Sequence, residues 1–108
     1  MRHLIYFFFS LFLVNADIPK EVEIHPHPGL VVKENASLTL SCSAKSHPAV
    51  ISFTWAKVTD GNSDVIHRNQ TMTINSVGPS DSGLYFCSAR NEMGTGESKQ
   101  VEVTVKCE

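Results

Sequence analysis

Long apolar runs are absent from this 108-residue chain. The longest, Leu4 to Val14, is eleven residues broken only by Ser10. As a helix it would reach about 16 Å, roughly half of a ~30 Å hydrocarbon core, so it is too short for a membrane span. Charge of one sign is equally scarce. Nine Lys and Arg stand against eleven Asp and Glu, a net of −2, which excludes nucleic-acid binding driven by charge. Internal repeats, low-complexity tracts and sustained helical periodicity are missing after residue 17. So are nucleophile elbows, paired carboxylates and zinc-ligand spacings, which leaves no enzyme and no cofactor to propose. With 42% hydrophobic residues, the chain is nevertheless too apolar to be a disordered tail.

The aromatics are unevenly spread. Five of the nine (Tyr6, Phe7, Phe8, Phe9, Phe12) lie in the first twelve residues. Met1, Arg2 and His3 supply a positive start, and the apolar run ends at Val14-Asn15-Ala16. This pattern predicts a secretory signal over residues 1–16, cleaved between Ala16 and Asp17, and one domain over 17–108. The remaining 92 residues carry a net charge of −3. A domain of that size buries only about 60–65% of its unfolded surface and is marginal without a staple. Export places the chain where a disulfide persists.

What recurs after residue 17 is alternation of period two between turn residues. Leu38, Leu40 and Cys42 share a face, as do Ile51, Phe53 and Trp55. Met72 and Ile74 alternate with Thr71, Thr73 and Asn75, and Tyr85, Cys87 and Ala89 alternate with Phe86 and Ser88. Val101, Val103 and Val105 close the series. Val22, Ile24 and Leu30 to Val32 suggest a first strand broken near Pro26-His27-Pro28-Gly29. Turn clusters fall at Lys33–Asn35, Ser46–Pro48, Asp60–Asp64, Gly78–Gly83 and Asn91–Gly96. About seven short strands with one apolar face each bury those faces by pairing two sheets, an all-β sandwich.

Cys42, Trp55 and Cys87 stand at intervals of 13 and 32 residues. Asp81-Ser82-Gly83-Leu84-Tyr85-Phe86-Cys87 follows the D-x-G-x-Y-x-C pattern. On these residues the chain resembles an immunoglobulin superfamily domain of the short constant-2 or intermediate type, across residues 20 to 106. The stretch Gly78 to Gly94 and the segment Phe53-Thr54-Trp55-Ala56-Lys57 resemble the membrane-proximal repeat domains of the B-cell sialic-acid-binding co-receptor and its fish relatives. The resemblance implies an inter-sheet disulfide between Cys42 and Cys87, Trp55 packed across it, and a tyrosine corner built by Tyr85 and Asp81. Closing a loop of about 45 residues stabilises such a domain by roughly 4 kcal/mol in the chain-entropy model. Sugar binding is not implied. Lectin members carry an essential Arg immediately after the position of the second Cys. Ser88 stands there in this chain, with Arg90 two residues on, so direct sialic-acid binding is not expected.

Asn35-Ala36-Ser37 and Asn69-Gln70-Thr71 are N-glycosylation acceptors placed near turns. Asp60-Gly61-Asn62-Ser63-Asp64 imitates half of a calcium loop. Val65 and Thr71 then stand where that loop requires Gly and Glu, so it reads as a polar Asp-Gly turn. His25 and His27 lack a third ligand, and no metal is expected. Phe86 points outward from its strand, with Thr54 and Ala56 expected on one flank and Gln100 and Glu102 on the other. Phe86, Thr54, Arg90 and Gln100 therefore form a candidate partner face. Cys107 has no partner once Cys42 and Cys87 pair. A covalent dimer through Cys107 and a chain that continues past Glu108 both account for it, and the second is favoured. The expectation is an extracellular protein-recognition domain of an immune-type receptor or adhesion protein. Its partners would be a protein ligand or neighbouring immunoglobulin domains. It would sit at the cell surface if a membrane anchor follows, and be secreted otherwise. A structural spacer and a soluble decoy are the alternatives.

Overall fold

The computed structural model describes residues 16–107. The predicted leader lies outside the described residues except for Ala16, as does Glu108. The strands run β1 (Asp17–His27), β2 (Val31–Lys33), β3 (Leu38–His47), β4 (Ser52–Thr59), β5 (Asn62–His67), β6 (Thr71–Ile74), β7 (Gly83–Asn91), β8 (Gly94–Glu97) and β9 (Val101–Lys106), with a 3-10 turn at Pro79–Asp81. They form two sheets. The smaller has the order β1-β3-β6, and the larger β2-β9-β7-β4-β5, with β8 also paired to β7.

Alternation in the sequence becomes the inner lining of this sandwich. Leu38, Leu40 and Cys42 of β3 and Met72 of β6 pack against Trp55, Tyr85, Cys87 and Val103 from the larger sheet. Val32 of β2 and Val77, in the segment after β6, close the core. Burying a large apolar side chain in this way contributes about 1.5–3 kcal/mol. The first strand divides as the prolines suggest. β1 pairs with β3 in the smaller sheet, and after Pro28 and Gly29 the chain crosses to lay β2 along β9 in the larger one. That β2–β9 pairing is parallel, whereas the other pairings are antiparallel.

Three local readings of the sequence are corrected. Ile51 does not share the buried face of Phe53 and Trp55. It precedes β4, its N–H donates to the Arg90 carbonyl at 2.7 Å, and its side chain is 58% exposed. The segment after Gly61 is strand β5 and not only a turn. The turn itself is the two residues Asp60 and Gly61, at φ +51° and +79°, between the paired residues Thr59 and Asn62. Both angles are positive, as a tight hairpin between right-twisted strands requires. Finally, the turn predicted over Asn91–Gly96 tightens, because Gly94 and Gly96 belong to β8.

Candidate functional site

The inner face of the larger sheet is fully committed to structure. Cys42 and Cys87 form a disulfide between the sheets, joining residues 45 apart in sequence. Trp55 is wholly buried and donates its indole N–H to the Gln70 carbonyl at 3.3 Å. Gln70 in turn donates its side-chain amide to the Cys42 carbonyl at 2.9 Å. Tyr85 donates its hydroxyl to the Asp81 carbonyl at 2.6 Å, while the Asp81 carboxylate accepts the Gly78 N–H at 2.8 Å. Burial pushes the Tyr85 phenol above its ordinary pKa, and the nearby Asp81 charge adds to the shift. The Lys57 ammonium lies 5.6 Å from the centre of the Tyr85 ring and donates to the Ser80 carbonyl.

The outer face is built from the intervening residues of the same strands. Register places Ser52 opposite Arg90, Thr54 opposite Ser88, Ala56 opposite Phe86 and Val58 opposite Leu84. Across the next pairing, Ala56 meets Val65 and Val58 meets Ser63. Phe86 is therefore grouped with Val58, Val65 and Leu84 around Ala56, which is itself buried. Val65 is 50% exposed and Leu84 36%. On the other flank, β7 pairs with β9 as far as Tyr85–Val101 and with β8 from Ser88–Glu97. Phe86 sits at that change of partner. Gln100 shares a shallow concavity with it, and Glu102 pairs one step away with Leu84.

Above Phe86 the surface turns cationic. Arg68, Arg90, Ser52, Thr54, Ser88 and Thr95 line a concavity of about 350 Å³. Arg90 is steadied by Ser52, Nε to Oγ 3.4 Å. Among the described residues neither guanidinium has a carboxylate within ion-pair distance. Arg68 is 22 residues from Arg90 in sequence and reaches it only because the β4–β5 hairpin folds back. Nothing in the linear pattern marks it.

One end of the sandwich is tied by a buried polar residue. Asn91 is 2% exposed, and its side-chain amide donates to the Asp17 carbonyl at 2.7 Å, the Ser46 hydroxyl at 3.0 Å and the Pro48 carbonyl at 3.1 Å. Its carbonyl oxygen accepts the N–H groups of Met93 at 2.8 Å and Gly94 at 3.2 Å. Three segments thus meet on one side chain. A Cβ on Gly96 would lie 2.2 Å from the Pro19 carbonyl oxygen, so the start of β1 passes directly over a bare backbone.

The remaining predicted residues are dispersed. Asn35 is exposed in the turn between β2 and β3, at φ +73°. Asn69 is exposed between β5 and β6. His25 hydrogen-bonds Ser43, Nε2 to Oγ 2.7 Å. Cys107 is an exposed free thiol just past β9. The Glu34 charge, with the hydrogen bond that the thiol donates to the same carboxylate, raises its pKa above the ordinary thiol value.

A family model described as "Immunoglobulin domain" matches residues 21–105. The chain belongs to the immunoglobulin domain family. Human vascular cell adhesion protein 1 is 33% identical over 88 residues, covering 82% of this chain and 12% of that protein. Mouse B-cell receptor CD22 is 30% identical over 88 residues, covering 81% of this chain and 10% of its own length. The chain therefore spans about a tenth of the length of these two curated relatives. Among solved structures, the first four immunoglobulin domains of Dscam1 isoform 1.9 align at TM-score 0.64 and 25% identity, covering 79% of this chain and 20% of that one. The mouse nectin-like molecule 4 ectodomain shares the fold at TM-score 0.66 and 23% identity, over 82% of this chain and 30% of its own. Kinship is spread across immunoglobulin-domain adhesion and receptor proteins. It does not single out the co-receptor repeats that the Gly78–Gly94 stretch resembles.

Proposed function

We propose that this immunoglobulin domain is an extracellular, non-catalytic recognition module that binds a protein partner through the outer face of its larger sheet. One observation carries the reading. The strands that bury Trp55, Tyr85 and Cys87 on one side present Leu84, Phe86 and Val65 on the other, rimmed by Arg90, Thr54 and Gln100. An apolar centre within a polar rim is the anatomy of a protein interface. The similarity to adhesion and receptor proteins supports the same class of function. Tetramers of the secreted chain, applied to a panel of cells, test it. Phe86→Asp should abolish cell binding while thermal unfolding stays within a few degrees of wild type. Unchanged binding by a folded Phe86→Asp variant would sink the reading.

Several features frame that role. Residues 1–16 serve as a cleaved leader, so N-terminal sequencing of the secreted product should begin at Asp17. Asn35 and Asn69 carry N-linked glycans, read as mobility shifts lost in Asn→Gln variants. Within the family, the Gly78–Gly94 stretch favours the co-receptor type of repeat. A surface or secreted form follows from whether a membrane anchor lies downstream.

A spacer role is the second reading, and the placement of the chain ends favours it. β1 starts beside Asn91 at one end of β7, while Lys106 of β9 runs beside Lys33 and Glu34 past the other end. Such a domain adds its own length, about 30 Å over the nine residues of β7, to whatever it joins. Cys107 at the far end is positioned for a covalent dimer or for a partner thiol downstream. Non-reducing against reducing electrophoresis separates these.

A further inference from the structure

Residues 17–108 hold two arginines, Arg68 and Arg90, and both line the same concavity. They reach it from different directions. Arg90 lies on β7, opposite Ser52 on one side and Thr95 on the other, and Arg68 follows directly on the end of β5. Between them β4 offers Ser52 and Thr54, and β7 adds Ser88. Every polar side chain in the lining is a hydroxyl or a guanidinium, and none is a carboxylate. Ser52 steadies Arg90 through Nε, and Arg68 makes no hydrogen bond or ion pair among the described residues. Glu97, which accepts from the Ser88 hydroxyl at 3.5 Å, stands on the β8 side, three strand spacings or ~14 Å from the β5 side. Two cations gathered in this way repel one another, and a bound anion relieves the repulsion.

A carboxylate suits such a lining. One guanidinium can hold both of its oxygens in parallel, while the second guanidinium and the hydroxyls donate to the remaining lone pairs. The surroundings narrow the source. Arg90 and Phe86 share the outer phase of β7, four residues and ~13 Å apart, with Ser88 between them. Phe86 is half-buried, and Leu84 and Val65 beside it are exposed. An acidic sugar would fill the concavity and leave Phe86 bare, whereas a protein surface supplies an acid and apolar groups from one scaffold. We propose that the Arg68–Arg90 concavity anchors an aspartate or glutamate side chain of a partner protein, whose neighbouring apolar residues cover Phe86. This rests on the outer face being the recognition surface and supplies the chemistry of its partner. The lectin arrangement is not reproduced, since Ser88 follows Cys87 and Arg68 comes from outside β7.

Both arginines are exposed, so the anchor has the strength of a solvent-accessible charge pair. Each should change affinity about three- to tenfold, acting through the association rate and its salt dependence. The apolar contact at Phe86 has no such dependence on salt.

Two measurements test the proposal, and the first needs no partner. In the secreted chain made with isotope-labelled arginine, Arg68 and Arg90 alone give side-chain N–H signals once residues 1–16 are removed. N-acetyl-aspartate methylamide is titrated to about 100 mM at pH ~6, where its carboxylate is charged, against sodium chloride of equal ionic strength. Both signals should shift along one saturable curve with Kd on the order of 10 mM. Signals that do not move beyond the salt control would overturn the site. The second measurement uses tetramers on the cells that bind them. Arg68→Gln with Arg90→Gln should lower apparent affinity at least about tenfold and remove most of its decline with salt. The melting temperature should stay within a few degrees of wild type. Wild-type binding should survive sialidase and heparinase and be lost when the cells are treated with protease. Loss with sialidase or heparinase would assign the concavity to an acidic sugar and overturn the proposal. Phe86→Asp separates the anchor from the face. If it abolishes binding and the double arginine variant does not, the face stands and the anchor fails. A wild type that binds no cell, or binding that neither change lowers, defeats both.

Discussion

The two faces of the larger sheet are made from alternate residues of the same strands, and they answer to different demands. Along β7, Tyr85, Cys87, Ala89 and Asn91 are buried, each at 2% exposure or less. Leu84, Phe86, Ser88 and Arg90 stand between them and face out. Inside, side chains are bonded covalently, packed or hydrogen-bonded to named partners. Outside, a half-buried aromatic and an exposed leucine lie among hydroxyls and guanidinium groups that, among the described residues, meet no carboxylate. A rigid inner face costs the domain no freedom it uses. It holds the outer face flat, so that the partner need not pay to order it. Stability and recognition are therefore separable by single substitutions one residue apart.

The comparison breaks first at the disulfide. Replacing Cys42 and Cys87 by Ala should lower unfolding free energy by about 4 kcal/mol, enough to leave a domain of this size largely unfolded at 37 °C. Urea titration of the secreted material measures it. Asn91 comes next. Asn91→Ala removes a donor from the Asp17 and Pro48 carbonyls, the second of which keeps the Ser46 hydroxyl, and should cost about 2 kcal/mol. Asn91→Asp should cost more, because a carboxylate would face those same oxygens. Hydrogen exchange of β8 and the start of β1 should accelerate in both variants.

Tyr85 gives a smaller, pH-dependent effect. Its pKa is raised in the folded state, so the folded protein holds the phenol proton more tightly than the unfolded chain does. The associated stability is fully present below the unfolded value of about 10 and is lost as pH rises through the folded value. Once residues 1–16 are removed, Tyr85 is the sole tyrosine, and absorbance at alkaline pH reports it alone. Tyr85→Phe should cost about 1 kcal/mol at neutral pH through the lost bond to Asp81, and should flatten the decline above pH ~10. The outer face should yield the least. Phe86→Asp, Leu84→Ser and Arg90→Glu are each predicted to change stability by about 0.5 kcal/mol or less, a range ordinary for surface positions.

Much of this division was legible in the sequence, because buried strands announce themselves through apolar alternation. β3, β6, β7 and β9 follow from it directly. β5 does not, since an edge strand with little buried surface has no apolar phase to display, and Asp60-Gly61 draws attention to the turn alone. Ile51 extends the alternation of β4 by one step too many, because the strand begins where pairing with β7 begins, at Ser52 opposite Arg90, and not where hydrophobicity does. The outward phase of Phe86, Thr54 and Arg90 was readable from the same period of two. Arg68 was not assembled with them, since a face four strands wide draws on residues from 52 to 102, and only the register brings them to one surface.

The most direct test of the division is one variant measured two ways. Phe86→Asp, on one preparation of the secreted chain, should unfold at the wild-type temperature to within a few degrees and, as tetramers, lose binding to the cell panel. A variant that melts far earlier would place Phe86 with the structural residues. A variant that is stable and still binds would show that this face is not where the domain makes its contact.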